Sequence, residues 1–236
     1  MSGNASHTKF PRQLEGIIFD VDGTLYDQRR LRFKMLLHLI SQCIKTPLTG
    51  SQSVRFLRAY RNAHENLRTE LEEMDLSARQ LEIACEKLGI AVPDGQRIVE
   101  RFFKIAPLSE LRRCIRPGLT NFLLKCRARG LRLGVFSDYE ATQKLEAMGL
   151  SESFDAVVSS MDQGIGRLKP NPAGLERCMR YLNVHPERVI YVGDRPDVDA
   201  VCAIRANVCS VIIHSRYKSD FFTTVSGFEG LSSVLF

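Results

Sequence analysis

The chain has 236 residues, enough for one large domain or for a domain carrying a sizeable insertion, and either can bury a full hydrophobic core. With 44% hydrophobic and 25% charged residues it has the composition of an ordinary globular protein, and no apolar run approaches the roughly 20 residues that span a bilayer. The formal charge of +6 is modest, and seven scattered cysteines with no Cys-x-x-Cys pair argue against a zinc site or a disulfide framework and fit a reducing cytoplasm.

Residues 1–13 are polar, lack the apolar segment of a secretory signal and are expected to form a flexible N-terminus. The run Ile17 to Phe19 reads as a short buried strand that delivers Asp20 and Asp22 into a turn containing Gly23 and Thr24. Two acids one residue apart point the same way off an extended backbone and repel unless a cation lies beside them. A divalent metal is implied.

After Leu25 the pattern becomes helical for roughly ninety residues. Leu31, Met35, Leu36 and Leu39 recur at three- and four-residue spacing, as do Val54, Leu57, Tyr60, Ala63 and Leu67, and then Leu81, Ala84, Cys85 and Leu88. Thr46-Pro47 and Thr49-Gly50 punctuate the first connection, and Ser77 is the expected N-cap of the third helix. A further helix follows Pro93, over Asp94 to Lys104. Residues 28–116 thus form a helical bundle in which His38 and His64 read as structural. Between Gln28 and Arg68 nine cationic side chains (Arg29, Arg30, Arg32, Lys34, Lys45, Arg55, Arg58, Arg61, Arg68) stand against one acid, Glu65. Their helical spacing, and the acidic stretch directly after them, favour a solvated face over nucleic-acid binding, while a field that draws in anionic substrates stays open.

Arg116-Pro117-Gly118 is a turn, and beyond it strands and helices alternate. Helix Leu119 to Arg129 precedes strand Leu131 to Phe136, and helix Glu140 to Met148 precedes strand Phe154 to Val158. Helix Pro172 to Leu182 precedes strand Val189 to Val192, and helix Val198 to Arg205 precedes a last strand, Val208 to Ile213. Such alternation predicts an α/β core with a parallel sheet, assembled from residues 14–27 and 117–236, with the ligand site at the carboxyl ends of its strands. Asp20, Ser137-Asp138 and Gly193-Asp194 all fall at such ends.

A strand-end carboxylate can attack phosphorus once a metal and hydrogen-bond donors have neutralised the phosphoryl charge, which makes Asp20 the candidate nucleophile. Asp22 could protonate a departing alkoxide and then activate water. Asp194 would complete a metal site without His or Cys, and such a donor set favours a hard ion, Mg2+ first. Ser137 offers a hydroxyl, and Lys169 a cation held in an extended loop by Pro170.

Asp20-x-Asp22-Gly-Thr-Leu, Ser137, Lys169-Pro170-x-Pro172, and Gly193-Asp194 with Asp197 and Asp199 downstream together resemble the four ordered motifs of the haloacid dehalogenase (HAD) superfamily. The helical insert resembles the cap of its helical-cap (C1-type) subfamily I. The resemblance implies a Rossmann-like core with an inserted α-helical cap over residues 28–116. It also implies Asp20 as nucleophile, Asp22 as general acid and base, and a phosphate-binding set of Ser137, Asp138, Lys169, Gly23 and Thr24. Mg2+ would be held by Asp20, Asp22 through its backbone carbonyl, and Asp194, with Asp199 or else Asp197 reaching a metal-bound water. Because the carbon-halide and phosphonate branches are expected to lack the second acid, Asp22 favours phosphatase chemistry on a small phosphorylated metabolite. A sugar-phosphate mutase and a catalytically silent scaffold are the alternatives. Arg29, Arg30 and Arg32, close to the first motif, are candidates for meeting the rest of the substrate.

Overall fold

β1 (Gly16–Phe19) is apolar and buried at every position, as a strand covered on both faces must be. In the computed structural model, which describes residues 10–45, 47–70, 72–213 and 219–236, it lies inside a six-stranded parallel sheet. Most of the expected flexible N-terminus, residues 1–9, lies outside the described residues, as does Thr46. The other strands are β2 (Arg132–Ser137), β3 (Ala156–Ser159), β4 (Val189–Gly193), β5 (Cys209–Ile213) and β6 (Thr223–Val225), in the order β3-β2-β1-β4-β5-β6. Phe19 stands level with Val135 of β2 and Val192 of β4, so the residues following β1, β2 and β4 emerge together at one edge.

Between β1 and β2 the chain inserts α1 (Gln28–Lys45), α2 (Pro47–Leu67), α3 (Leu76–Leu88), α4 (Val92–Val99) and α5 (Ala106–Leu111), before α6 (Leu119–Ala128). Phe56, Tyr60, Ala84, Cys85 and Val99 form a separate apolar centre within the insert. The N-cap of α3 is Asp75, whose carboxylate accepts the Ala78 N–H at 3.0 Å, and not the expected Ser77. Asp75 still has an extended backbone and can reach back to the first free N–H, whereas Ser77 is already inside the helix. Gly50, expected in a connection, lies within α2. The helix expected to end at Lys104 instead runs through a π-helical stretch, Glu100–Ile105, into α5.

The two strands of chain that join the insert to the sheet run antiparallel, with Tyr26 bridged to Ile115. The Asp27 N–H donates to the Cys114 carbonyl (2.8 Å) and the Arg116 N–H to that of Leu25 (3.0 Å), which plants the insert directly after the two acids.

Alternation along the strands divides the main core. Ile17, Phe19, Leu133, Val135, Ile190 and Val192 pack with residues of α6, α7 (Thr142–Met148) and α10 (Phe228–Leu235) on one face. Ile18, Phe136 and Tyr191 pack with α8 (Ala173–Leu182) and α9 (Val201–Arg205) on the other. Phe19 meets Phe122 and Phe154 edge to face, with ring centroids 6.3 and 5.9 Å away. Burying one such side chain stabilises the fold by about 1.5–3 kcal/mol. β6 and α10 extend the sheet and its cover beyond the last strand read from the sequence. No helix among the described residues is long and apolar enough to cross a membrane.

Candidate active site

Asp20, the first residue after β1, is buried, and the Thr24 hydroxyl donates to its Oδ2 at 3.0 Å. Lys169 enters from the loop before α8, its Nζ 2.6 Å from Asp20 Oδ1, 2.8 Å from Asp199 Oδ1 and 3.0 Å from the Tyr191 hydroxyl. At 2% exposure Lys169 has no water to share its charge with. Burial alone would depress its pKa, but Asp199 and then Asp20 hold it well above the ordinary lysine value, so it stays an ammonium. Burial, against the pull of Lys169, raises Asp20 well above the usual carboxylate range, and Asp199 and Asp194 add to the effect.

Asp194 follows β4 and packs against Gly23, whose φ of +102° and missing side chain are both required because a Cβ there would collide with the Asp194 carboxylate. Burial, and then the nearby Asp199, push Asp194 up to about 7, and its Oδ1 is buried with no hydrogen-bond partner. Asp199 accepts the backbone N–H groups of Asp194 (3.1 Å) and Arg195 (3.0 Å). Ligand atoms of Asp20, Asp194 and Asp199 lie within 4.8 Å of one another. An unpartnered buried carboxylate oxygen among three acids suits a hard divalent cation. Asp197 is exposed and occupied by Arg195 at 2.8 Å, outside this cluster.

Asp22 points into a different setting. Both its oxygens lie 2.7 Å from Lys144 Nζ of α7, and the Tyr26 hydroxyl donates to it. Burial would raise its pKa, yet Lys144 and Tyr26 bring it below the ordinary value. Burial and the Asp22 charge raise the Tyr26 hydroxyl well above its own, keeping it a donor.

Ser137 ends β2 fully buried, its Oγ accepting the Tyr139 N–H at 3.3 Å. The Asp138 carboxylate accepts from Arg68 Nη1 (2.7 Å), the Lys169 N–H (3.0 Å) and the Ser160 hydroxyl (3.2 Å). It therefore works as a tie between α2, the Lys169 loop and Ser160. Arg116 donates from Nε (3.0 Å) and Nη2 (2.6 Å) to the Gly23 carbonyl, holding the turn between the two motif acids and the insert. From α2, Arg68 also reaches the Lys169 carbonyl (2.8 Å), and Glu65 meets Arg195 (2.9 Å).

These elements enclose a cavity of about 350 Å3. Asp20, Asp22, Asp138, Lys169, Asp194 and Asp199 line its sheet side, while Leu31, Arg32, Met35, Tyr60, Arg61 and Leu111 belong to its helical side. Of the three arginines read as neighbours of the mouth, only Arg32 lines the wall. Arg29 and Arg30 begin α1 exposed, their N–H groups capped by Asp27 at 2.9 and 3.1 Å. His64 is buried in the same wall, stacked on Tyr139 with ring centroids 4.3 Å apart. Lys144, Arg61, Arg68 and Tyr139 belong to no recognisable motif. The only sequence signal for any of them is the basic run that contains Arg61 and Arg68.

A protein-family model described as haloacid dehalogenase-like hydrolase matches residues 14–207. The chain is 26% identical over 216 residues to the glyceraldehyde 3-phosphate phosphatase of Methanothermobacter thermautotrophicus, covering 86% of this chain and 87% of that one. It is 33% identical over 141 residues to the phosphoserine phosphatase of Thermus thermophilus, covering 58% and 54% of the two chains. The crystal structure of a HAD phosphatase from Thermococcus onnurineus is similar in fold, with a TM-score of 0.65 at 19% identity over 94% of this chain and 98% of that one.

Proposed function

The chain belongs to the haloacid dehalogenase-like hydrolases, and we propose that it is a Mg2+-dependent phosphatase that hydrolyses a small phosphate monoester through an aspartyl-phosphate on Asp20. The observation that carries this reading is a pair of carboxylates in one cavity, each held by its own cation. Asp20 sits on buried Lys169, and Asp22 sits on Lys144 and the Tyr26 hydroxyl. Two acids in different electrostatic surroundings can take two roles.

Asp20, Asp194 and the backbone carbonyl of Asp22 would hold the metal, with Asp199 behind them. The unpartnered Asp194 oxygen and the all-oxygen donor set fit Mg2+. When bound, the ion supplies positive charge against the phosphoryl oxygens and favours the ionised form of Asp20. Asp20 Oδ attacks phosphorus, and the bond to the ester oxygen breaks. Asp22, having taken up a proton from solvent as the substrate binds, gives it to that oxygen, and the leaving alcohol departs. In the second step Asp22 takes a proton from water, whose oxygen attacks phosphorus and breaks the Asp20–phosphorus bond. Asp22 is held ionised before substrate arrives. An incoming phosphoryl dianion places like charge beside it and competes for Lys144, which raises its proton affinity for the first step. Lys169 and the backbone N–H groups after Ser137 steady the phosphoryl oxygens. Residues 28–116 act as a cap that excludes water during the first transfer, with Arg68 and Glu65 as its ties to the sheet edge.

Phosphate release from p-nitrophenyl phosphate should require Mg2+, vanish in Asp20→Asn, and for an alkyl phosphate fall about 10²–10⁴-fold in Asp22→Asn. Release of free phosphate without an added bisphosphate separates hydrolysis from mutase chemistry. Wild-type rates in Asp20→Asn would overturn the assignment.

A further inference from the structure

Most charges in the cavity wall are matched. Lys169 lies between Asp20 and Asp199, Lys144 lies on Asp22, Arg68 on Asp138 and Glu65, and Arg195 on Glu65 and Asp197. Lys104 is 3.7 Å from Glu100. Glu140 has no ion pair among the described residues, and of the cations two guanidinium groups are left over. Arg32 of α1 and Arg61 of α2 line the cavity, remain open to solvent, and have no carboxylate within ion-pair distance among the described residues.

They also sit near each other. Partial desolvation of the Arg61 side chain where it meets the wall, and then the charge of Arg32, hold Arg61 below the ordinary arginine range although its surface is exposed, and Tyr26 lies close enough to interact with both. Because the Tyr26 hydroxyl donates to Asp22, this places the two guanidiniums near the proposed general acid, where the alcohol departs. Their surroundings offer little compensation, since Leu31, Met35, Leu108 and Leu111 make that stretch of wall apolar. Like charges set together beside an apolar wall without a counter-ion are unfavourable until an anion bridges them, and guanidinium forks match the planar, multidentate oxygens of carboxylate and phosphate.

We propose that Arg32 and Arg61 form a subsite for a second anionic group, a carboxylate or a second phosphate, carried by the leaving alcohol, so that the substrate class is a phosphate monoester with a further negative charge. This rests on the phosphatase reading above. A neutral leaving group leaves the two guanidiniums unbridged, whereas an anionic one adds charge-assisted hydrogen bonds remote from the reacting phosphorus. That second anchor orients the ester oxygen toward Asp22.

The test compares kcat/KM for three alkyl phosphates of similar size: 2-phosphoglycolate, 1,3-propanediol bisphosphate and the neutral-tailed glycerol 1-phosphate. The first two distinguish carboxylate from phosphate as the second anion. Wild-type protein should prefer one or both over glycerol phosphate, and Arg32→Gln or Arg61→Gln should each lower that preference about 10- to 100-fold, mainly through KM. Arg58→Gln, an exposed arginine of α2 outside the cavity wall, should leave the preference as it is. Calorimetric binding of the same three compounds to Mg2+-loaded Asp20→Asn protein gives the preference without turnover. Binding that fails to discriminate, or a preference that survives both arginine substitutions, overturns the subsite. If wild type and Asp20→Asn hydrolyse p-nitrophenyl phosphate equally, the phosphatase reading fails instead, and the binding ratio still decides whether the anion subsite exists.

Discussion

Replacing Lys169 by methionine keeps much of the side-chain volume and removes the ammonium that stands 2.6 Å from Asp20 and 2.8 Å from Asp199. Asp194 belongs to the same acidic group, so the variant leaves three carboxylates sharing a buried site without their cation. Removing one partner of a buried ion pair costs about 3–5 kcal/mol. For a chain of this size about 1 kcal/mol moves Tm by roughly 2–4 °C, so the metal-free variant should melt about 6–20 °C below wild type at pH 8. The loss should depend on pH. Burial raises Asp20 and Asp194 above their unfolded value of 3.8, and an acid raised in this way supports the fold at low pH and ceases to as the pH climbs through its folded value. Losing Lys169 removes the positive charge that opposes this rise, so the deficit should be small at pH 5 and grow toward pH 8. Added Mg2+ should recover part of it by bringing positive charge back. Scanning calorimetry at the two pH values, with and without Mg2+, measures all three effects. An equal drop in Tm at pH 5 and pH 8 would refute the electrostatic account and point to lost packing.

With Lys144→Met, Asp22 loses the cation that holds its pKa down, so the acidic limb of the pH profile of kcat/KM should move to higher pH; an unmoved limb would refute Asp22, held by Lys144, as the proposed general acid. Burial and then Asp199 push Asp194 up to about 7 in the metal-free protein, so protons should compete with Mg2+ below that pH. Mg2+ binding, measured by calorimetry, should tighten about tenfold between pH 6 and pH 8, whereas a pH-independent affinity would exclude Asp194 as a ligand. Gly174 of α8 packs directly on the Phe136 ring, where a Cβ would overlap it. Gly174→Ala should therefore cost about 1–3 kcal/mol in denaturant unfolding, and a neutral result would mean that α8 shifts freely over the sheet.

The parallel core was legible because its signals are local. Short apolar runs separated by helices, each ending in an acid, imply strands whose carboxyl ends share one edge, and the register of β1 with β2 and β4 has that form. The short β6 was not legible, because three residues of Thr-Thr-Val carry no periodicity. Within the insert, spacing identified helices but not what covers them. Leu36, which reads as part of the apolar stripe of α1, is 51% exposed, because the partner that buries a stripe is chosen by tertiary docking.

The same division runs through the site. Asp20, Asp22, Lys169 and Asp194 could be named from the chain because strand ends and loop chemistry mark them. Lys144 stands 122 residues from Asp22, and Arg68 stands 70 from Asp138, yet they form ion pairs at 2.7 Å. The choice between Asp199 and Asp197 for the acidic cluster likewise turns on the direction of one helical turn, which buries the first and leaves the second to Arg195. Sequence by itself determined five of the six strands, the order of the motifs and the two acids that follow β1. Which cation faces which carboxylate, and which arginines are left without one, was decided only when the insert docked over the sheet, because long-range charge pairing depends on distances that no local periodicity encodes.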